Sequence, residues 1–181
     1  IESFKLENVQ KAAAVFDLKR FNWVSSQQLA KLDENGFFEV IKPFMENEDI
    51  NEDYPNYKKI LLAMRTSKTN LKDIAHATRP FFFELDGYDE KGVKKFLNES
   101  LETLTFALEV LSKVAEWNET ELDMALIKVR DYFNLPIPKV NQPMRIALVG
   151  STVSPSLGLT LELFGKEKSL ERIQKAIDFI S

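Results

Sequence analysis

Apolar residues recur every three or four positions over most of the chain. Between 89 and 114, Val93, Phe96, Leu97, Leu101, Leu104, Leu108 and Leu111 form one long stripe, which predicts an amphipathic helix. Leu122, Ala125, Leu126, Val129 and Phe133 repeat the pattern over 118–133. Asn118 with Glu121 resembles a capping box at the start of that segment, Asn replacing the usual Ser or Thr. A last helix over 166–180 turns Leu170, Ile173, Ile177 and Ile180 inward, and Gly165 suits the C′ position of the helix before it. The same spacing predicts helices over 5–14, 17–31, 36–46, 55–66 and 70–78. No pair of β-branched runs flanks an Asn-Gly or Asp-Gly turn, so there is no hairpin signal. The fold class is all-α.

Punctuation divides the helices. The acidic stretch 46–55 reads as a solvated loop, Pro80 as the end of the helix before it, and Pro136–Pro143 as an irregular connector. These breaks predict two small helical subdomains that change over near residue 80.

Composition removes several chemistries. The 181 residues contain no cysteine and one histidine, His76. A thiolate zinc site, a cysteine nucleophile and a disulfide framework are excluded, and a histidine-based triad or metal cage has almost no material. His76 reads as an ordinary helix residue, the acidic clusters at 46–53 and 116–123 as solvated loops and helix starts, and Phe81-Phe82-Phe83 as core. No window is apolar enough to span a membrane. The chain begins with Ile, which fits a piece of a longer protein.

The net charge of −4 and the pI near 5.2 argue against nucleic-acid binding by bulk charge. The distribution of the 28 carboxylates changes that picture. Tyr132–Leu161 contains none, and neither does Leu18–Leu32 or Tyr54–Lys72. Carboxylates repel a polyanion as surely as lysines attract one, so this depletion predicts a local phosphate-facing surface. Arg145, ahead of the apolar run Ile146–Val149, is expected at the edge of a fixed element, where a guanidinium can meet a base edge or a phosphate. Ser154-Pro155 reads as an N-cap with proline at the first helical position, whose free amides favour an anion or a base carbonyl. Trp23, among Lys19, Arg20 and Gln27, is placed to stack on an exposed base, or else forms an amphipathic core edge.

The segments AVFDLKRFNW (14–23), RPFFFE (79–84) and QPMRIALVGSTVSPSLGLTLELFGKEKSLERIQKAIDF (142–179) resemble the C-terminal half of bacterial glutamyl-tRNA synthetases. The resemblance covers essentially the whole chain in order, and it implies that 1–31 end a stem-contact or connecting region while 32–80 and 81–181 form the two helical subdomains of an anticodon-binding bundle or cage. It implies the anticodon-recognition region of a class I ligase that joins glutamate to its tRNA, in the cytoplasm, through an ATP- and Mg2+-dependent adenylate. The catalytic signatures of that family are absent from this chain, so the piece is expected to bind tRNA without aminoacylating it and to need no cofactor itself. By the same resemblance, Arg145 and Gln142 match positions that read the middle anticodon base. Ser154, Pro155 and Leu157 match the turn that holds the first base, and Trp23 and Arg20 match residues near the anticodon loop. Where many members carry an arginine that contacts the third base, this chain reads Met64-Arg65-Thr66-Ser67. Ser67 puts third-base discrimination in doubt, with Arg65 or Lys68 the nearby cations. Relaxed specificity that includes glutamine tRNA, a helical protein-interaction domain and a self-contained enzyme stay open beside the first reading. With no heptad pattern, a monomer is expected.

Overall fold

The computed structural model describes residues 17–181, so the helix expected over 5–14 lies outside the described residues. From Leu18 to Met64 three helices follow one another: α1 (Leu18–Lys31), α2 (Glu34–Glu46) and α3 (Tyr57–Met64). After α4 (Leu71–Phe82) come the single turn α5 (Glu90–Gly92), α6 (Leu101–Ser112) and α7 (Glu119–Phe133). α8 (Ile137–Val149), α9 (Leu157–Phe164) and α10 (Lys166–Ile180) complete the chain. There is no β-strand among the described residues.

Local chemistry fixes most of the helix starts. Asp17 accepts hydrogen bonds from the Lys19 and Arg20 amides, Asp33 from Gly36, Asn70 from Asp73 and Asn118 from Glu121. Each side chain satisfies donors that the first helical turn leaves without a partner. At the other end of α9, Gly165 adopts φ +77°, as its C′ assignment requires.

Three expectations give way. The stripe over 89–114 is not one helix. Asp89 starts it by accepting from the Gly92 amide, and Val93–Leu97 then widens into a π-turn in which the Asn98 amide reaches the Val93 carbonyl. Ser100 closes that turn by donating to the Leu97 carbonyl, and α6 begins afresh at Leu101. Asn98 and Ser100 are weak continuations of a helix, and the reset keeps both Leu97 and Leu104 fully buried.

Pro80 does not end α4, and Pro136–Pro143 is no irregular connector. Pro80 lies within α4, while Pro136 caps α8 and both Pro138 and Pro143 lie within it. Pro138 falls in the first turn, where no amide donor is needed. Pro80 and Pro143 each leave one carbonyl without its helical donor, at His76 and Lys139, and both of those residues are exposed to solvent. Each proline thus costs its helix one hydrogen bond without ending it.

α2, α3 and α4 pack around Phe37, Ile41, Met45, Leu61 and Ile74. α6 to α10 enclose Leu104, Leu111, Leu122, Met144 and Ile173. The two groups share one continuous apolar core. Phe81 at the end of α4 stacks on Phe164 at the end of α9, ring centres 4.7 Å apart and planes 9° from parallel. Lys59 on α3 pairs with Glu162 on α9, which also accepts the Glu119 amide at 2.7 Å.

Candidate nucleic-acid interface

α8 delivers Arg145 to the loop that follows it. The guanidinium is half-buried and turns back into its own chain, Nε donating to Ser154 Oγ at 3.1 Å and Nη2 to the Pro155 carbonyl at 3.4 Å. Burial lowers its pKa from the ordinary arginine value. Thr160 donates to the Ser156 carbonyl at 2.9 Å and lies 3.2 Å from Ser154 Oγ, so Arg145, Ser154 and Thr160 share one network. Gln142, one turn before Arg145, holds its Oε1 buried without a hydrogen-bond partner among the described residues. An unpartnered buried acceptor is costly, and a donor could reach this one only if the side chain turned outward.

Ser154-Pro155 is not the cap of α9. Ser156 is, its Oγ accepting from the Leu159 amide at 3.4 Å, and the helix begins at Leu157. The positive end of the helix is already complemented. The Gly158 amide donates to the Asp123 carboxylate, and Ser156 Oγ donates to Glu119 Oε1. Desolvation, then the neighbouring Glu119 charge, raises the Asp123 pKa. An anion approaching this turn would meet two carboxylates, so the anion slot expected there is filled from within. Leu157 is buried in the core and presents no side chain to a ligand.

The second element is the turn after α3. Arg65 donates through Nη2 to the Leu29 carbonyl and, at 2.6 Å, to the Leu32 carbonyl, with its guanidinium 5.1 Å over the Phe37 ring. It therefore caps the end of α1 and does not face a ligand. Ser67 Oγ donates to the Met64 carbonyl at 2.6 Å. Lys68 instead lines a cleft of about 310 Å3 with Asp73, His76, Ala77 and Pro80 of α4 on one wall and Val149, Ser151 and Val153 on the other.

These contacts join what the sequence keeps apart. Arg65 ties the end of the Leu18–Leu32 stretch to the Tyr54–Lys72 stretch, and the Lys68 cleft ties that stretch to Tyr132–Leu161. All three carboxylate-free windows thus meet around the turn at 65–68. His76 sits beside this cleft, its Nδ1 3.4 Å from Glu48 Oε1, while Arg79 pairs with the same carboxylate at 3.0 Å. On α1, Trp23 is 62% exposed and Arg20 is exposed one turn before it, so the ring is open to stacking.

Sequence reasoning missed Ser151, Val153 and Thr160. All three fall inside the carboxylate-free window Tyr132–Leu161, a signal that could have named them. Thr160 stands four residues after Ser156, the spacing at which a helical threonine reaches back to a carbonyl.

Comparison with known proteins bears directly on this surface. The sequence model of the family described as "Anticodon binding domain" matches residues 36–177, which include the turn at 65–68, the cleft and the α8–α9 loop. The chain belongs to the anticodon-binding domain family. Glutamate–tRNA ligase 2 of Thermoanaerobacter pseudethanolicus is 33% identical over 99% of this chain and 38% of its own length. Glutamate–tRNA ligase 1 of Caldanaerobacter subterraneus is 32% identical over the same shares. This anticodon-binding domain thus spans about two fifths of the length of the curated relatives it matches. Among solved structures, a glutamate tRNA ligase of Elizabethkingia meningosepticum superposes with a TM-score of 0.78 at 25% identity, covering 98% of this chain and 36% of that one. The Elizabethkingia anophelis glutamate-tRNA synthetase gives 0.74 at 25% identity, covering 97% and 34%. No helix among the described residues is long and apolar enough to cross a membrane.

Proposed function

We propose that this chain is the anticodon-recognition region of a glutamate–tRNA ligase and that it binds tRNA in the cytoplasm. The observation that carries the reading is the meeting of three carboxylate-free stretches around residues 65–68 in a chain of net charge −4. A phosphate backbone is met there by Lys68 and, farther along α1, by Arg20, while Trp23 offers a stacking face. Arg145 and Gln142 would read the middle anticodon base after leaving their present contacts with the chain, with Ser154 and Pro155 at the first, and residues 32–80 and 81–181 act as the two halves of the surface.

The whole ligase would join glutamate to tRNA through an adenylate, using ATP and Mg2+. The donor set here does not fit that group: among the described residues no three His, Asp or Glu side chains converge to hold a metal ion. We assign no step of adenylate chemistry to this chain.

One observation favours relaxed specificity. Arg65 is engaged with two carbonyls and Ser67 with a third, leaving Lys68 as the remaining polar side chain of the turn that lines the cleft. A lone ammonium is a point charge and selects between bases less sharply than a bidentate guanidinium.

Titration of the chain against glutamate and glutamine tRNA transcripts, each with anticodon variants and across a salt series, tests both statements. Affinity should depend on the first two anticodon bases, fall steeply with salt and differ little between the two natural third bases. Indifference to every anticodon change would overturn the main reading. A strong preference for one third base would overturn the relaxed one.

A further inference from the structure

Arg172 on α10 is 1% exposed, and among the described residues no carboxylate pairs with it. Its Nη1 donates to the Leu148 carbonyl in the last turn of α8, and its Nη2 donates at 2.7 Å to the carbonyl of Phe83, the C-cap of α4. The guanidinium lies 4.6 Å over the Phe164 ring, on which Phe81 stacks. Its Nε is buried without a partner.

Glu84 and Glu171 act on it only from beyond ion-pair distance and pair with Lys175 instead; burying a cation without a direct partner is costly, so something must hold it in place. Here that is the convergence of two helix ends. The last carbonyls of a helix lack intrahelical donors and carry the negative end of its dipole. Arg172 supplies donors to one such carbonyl from each helix, and α4 belongs to the first group of helices while α8 belongs to the second. The same two ends wall the Lys68 cleft, through Ala77 and Pro80 on one side and Val149 and Ser151 on the other. Arg172 does not line that cleft.

We propose that Arg172 is a positioning residue that fixes α4 against α8 and thereby sets the width of the cleft in which RNA is read by both groups of helices at once. The proposal rests on the RNA-binding reading above, and its two halves are measured separately. A rigid two-walled cleft lets one ligand satisfy both walls without reordering them, which a loosened pair cannot do.

The chain has no cysteine, so a Lys72→Cys, Lys139→Cys pair, both exposed, can carry spin labels that report the distance between α4 and α8 without RNA. Arg172→Met should broaden or shift that distance distribution. In the unlabelled chain it should weaken binding to the anticodon stem-loop of glutamate tRNA at least tenfold. Leu111→Ala, buried in α6 away from α4, supplies a loss of core packing that leaves both readouts in place. Where Arg172→Met fails to fold, Arg172→Lys keeps the charge but replaces the planar guanidinium fork with a compact ammonium, and it should show the same two changes in smaller measure. An unchanged distance distribution in Arg172→Met, or in Arg172→Lys where the first does not fold, would overturn the clamp, as would an equal broadening in Leu111→Ala. A broadened distribution with unchanged RNA affinity would overturn its role in binding. A native chain that bound no RNA would overturn the functional reading instead, and the distances would still decide the clamp.

Discussion

The Gly158 amide donates to the Asp123 carboxylate across the α7–α9 contact, and nothing larger than glycine fits between them. A Cβ at 158 would lie 2.5 Å from Asp123 Oδ1 and 2.8 Å from the Glu119 carbonyl, one a charged capping group and the other backbone. Gly158→Ala should therefore destabilise the chain by about 1–3 kcal/mol, the usual cost of overpacking. Urea denaturation of the two proteins checks it; equal midpoints would mean that α7 and α9 can separate freely.

Ser154 is the hinge of the Arg145 network. Ser154→Ala removes an acceptor from a half-buried guanidinium and a neighbour from Thr160, at a cost of about 1 kcal/mol. Ser154→Thr keeps the hydroxyl and should recover most of that stability. Chemical denaturation of the pair reads the difference, and an alanine variant as stable as the native chain would show that solvent replaces the hydroxyl.

Arg65→Met should loosen α1 rather than the cleft. It deletes donors to the Leu29 and Leu32 carbonyls and a cation over Phe37, a loss of about 2 kcal/mol for hydrogen bonds from a charged group. Hydrogen exchange should accelerate in α1 and remain slow in α6 and α10. Uniform acceleration along the chain would contradict a local capping role.

Acid should act on the junction between α3 and α9. The hydrogen bond from Lys59, then that from the Glu119 amide, holds the Glu162 carboxyl below its usual range. A carboxyl with a depressed folded value stabilises the fold above its unfolded pKa of about 4.3, and that stabilisation is lost as pH falls through the lower folded value. Asp123 runs the other way, because its raised pKa makes ionisation unfavourable to the fold as pH climbs. Glu162→Gln should be less stable than the native chain at pH 7 and approach it below pH 4. A gap that stays constant from pH 7 to pH 3 would show that packing, not charge, is lost.

Most of the helical order was legible because burial imposes its period on the sequence. Leu122, Val129, Ile173 and Ile177 stand at the spacing of a helix face, and each is buried. The prolines misled, since a residue type reports a missing donor, while α4 and α8 continue through Pro80 and Pro143 within a packed core. Ser154 and Ser156 flank the same proline, and only the structure shows which of them caps α9. The depleted windows were legible and meet in the fold, but the roles of Arg65 and Asp123 were hidden. Their partners, Leu32 and Gly158, are separated from them by more than thirty residues of chain.

The α8–α9 loop is anchored at both ends, by the Asp89 amide on the Gly150 carbonyl at 2.8 Å and by Arg145 on Ser154. Gly150 adopts φ +72° with the Gly87 carbonyl 2.8 Å from where a Cβ would stand, so the first anchor tolerates no side chain. A segment ordered before its ligand arrives has little conformational freedom left to lose on docking. Encounter with the proposed RNA would then be close to lock-and-key, its rate set by the long-range field and the ionic strength instead of by a slow rearrangement of the protein.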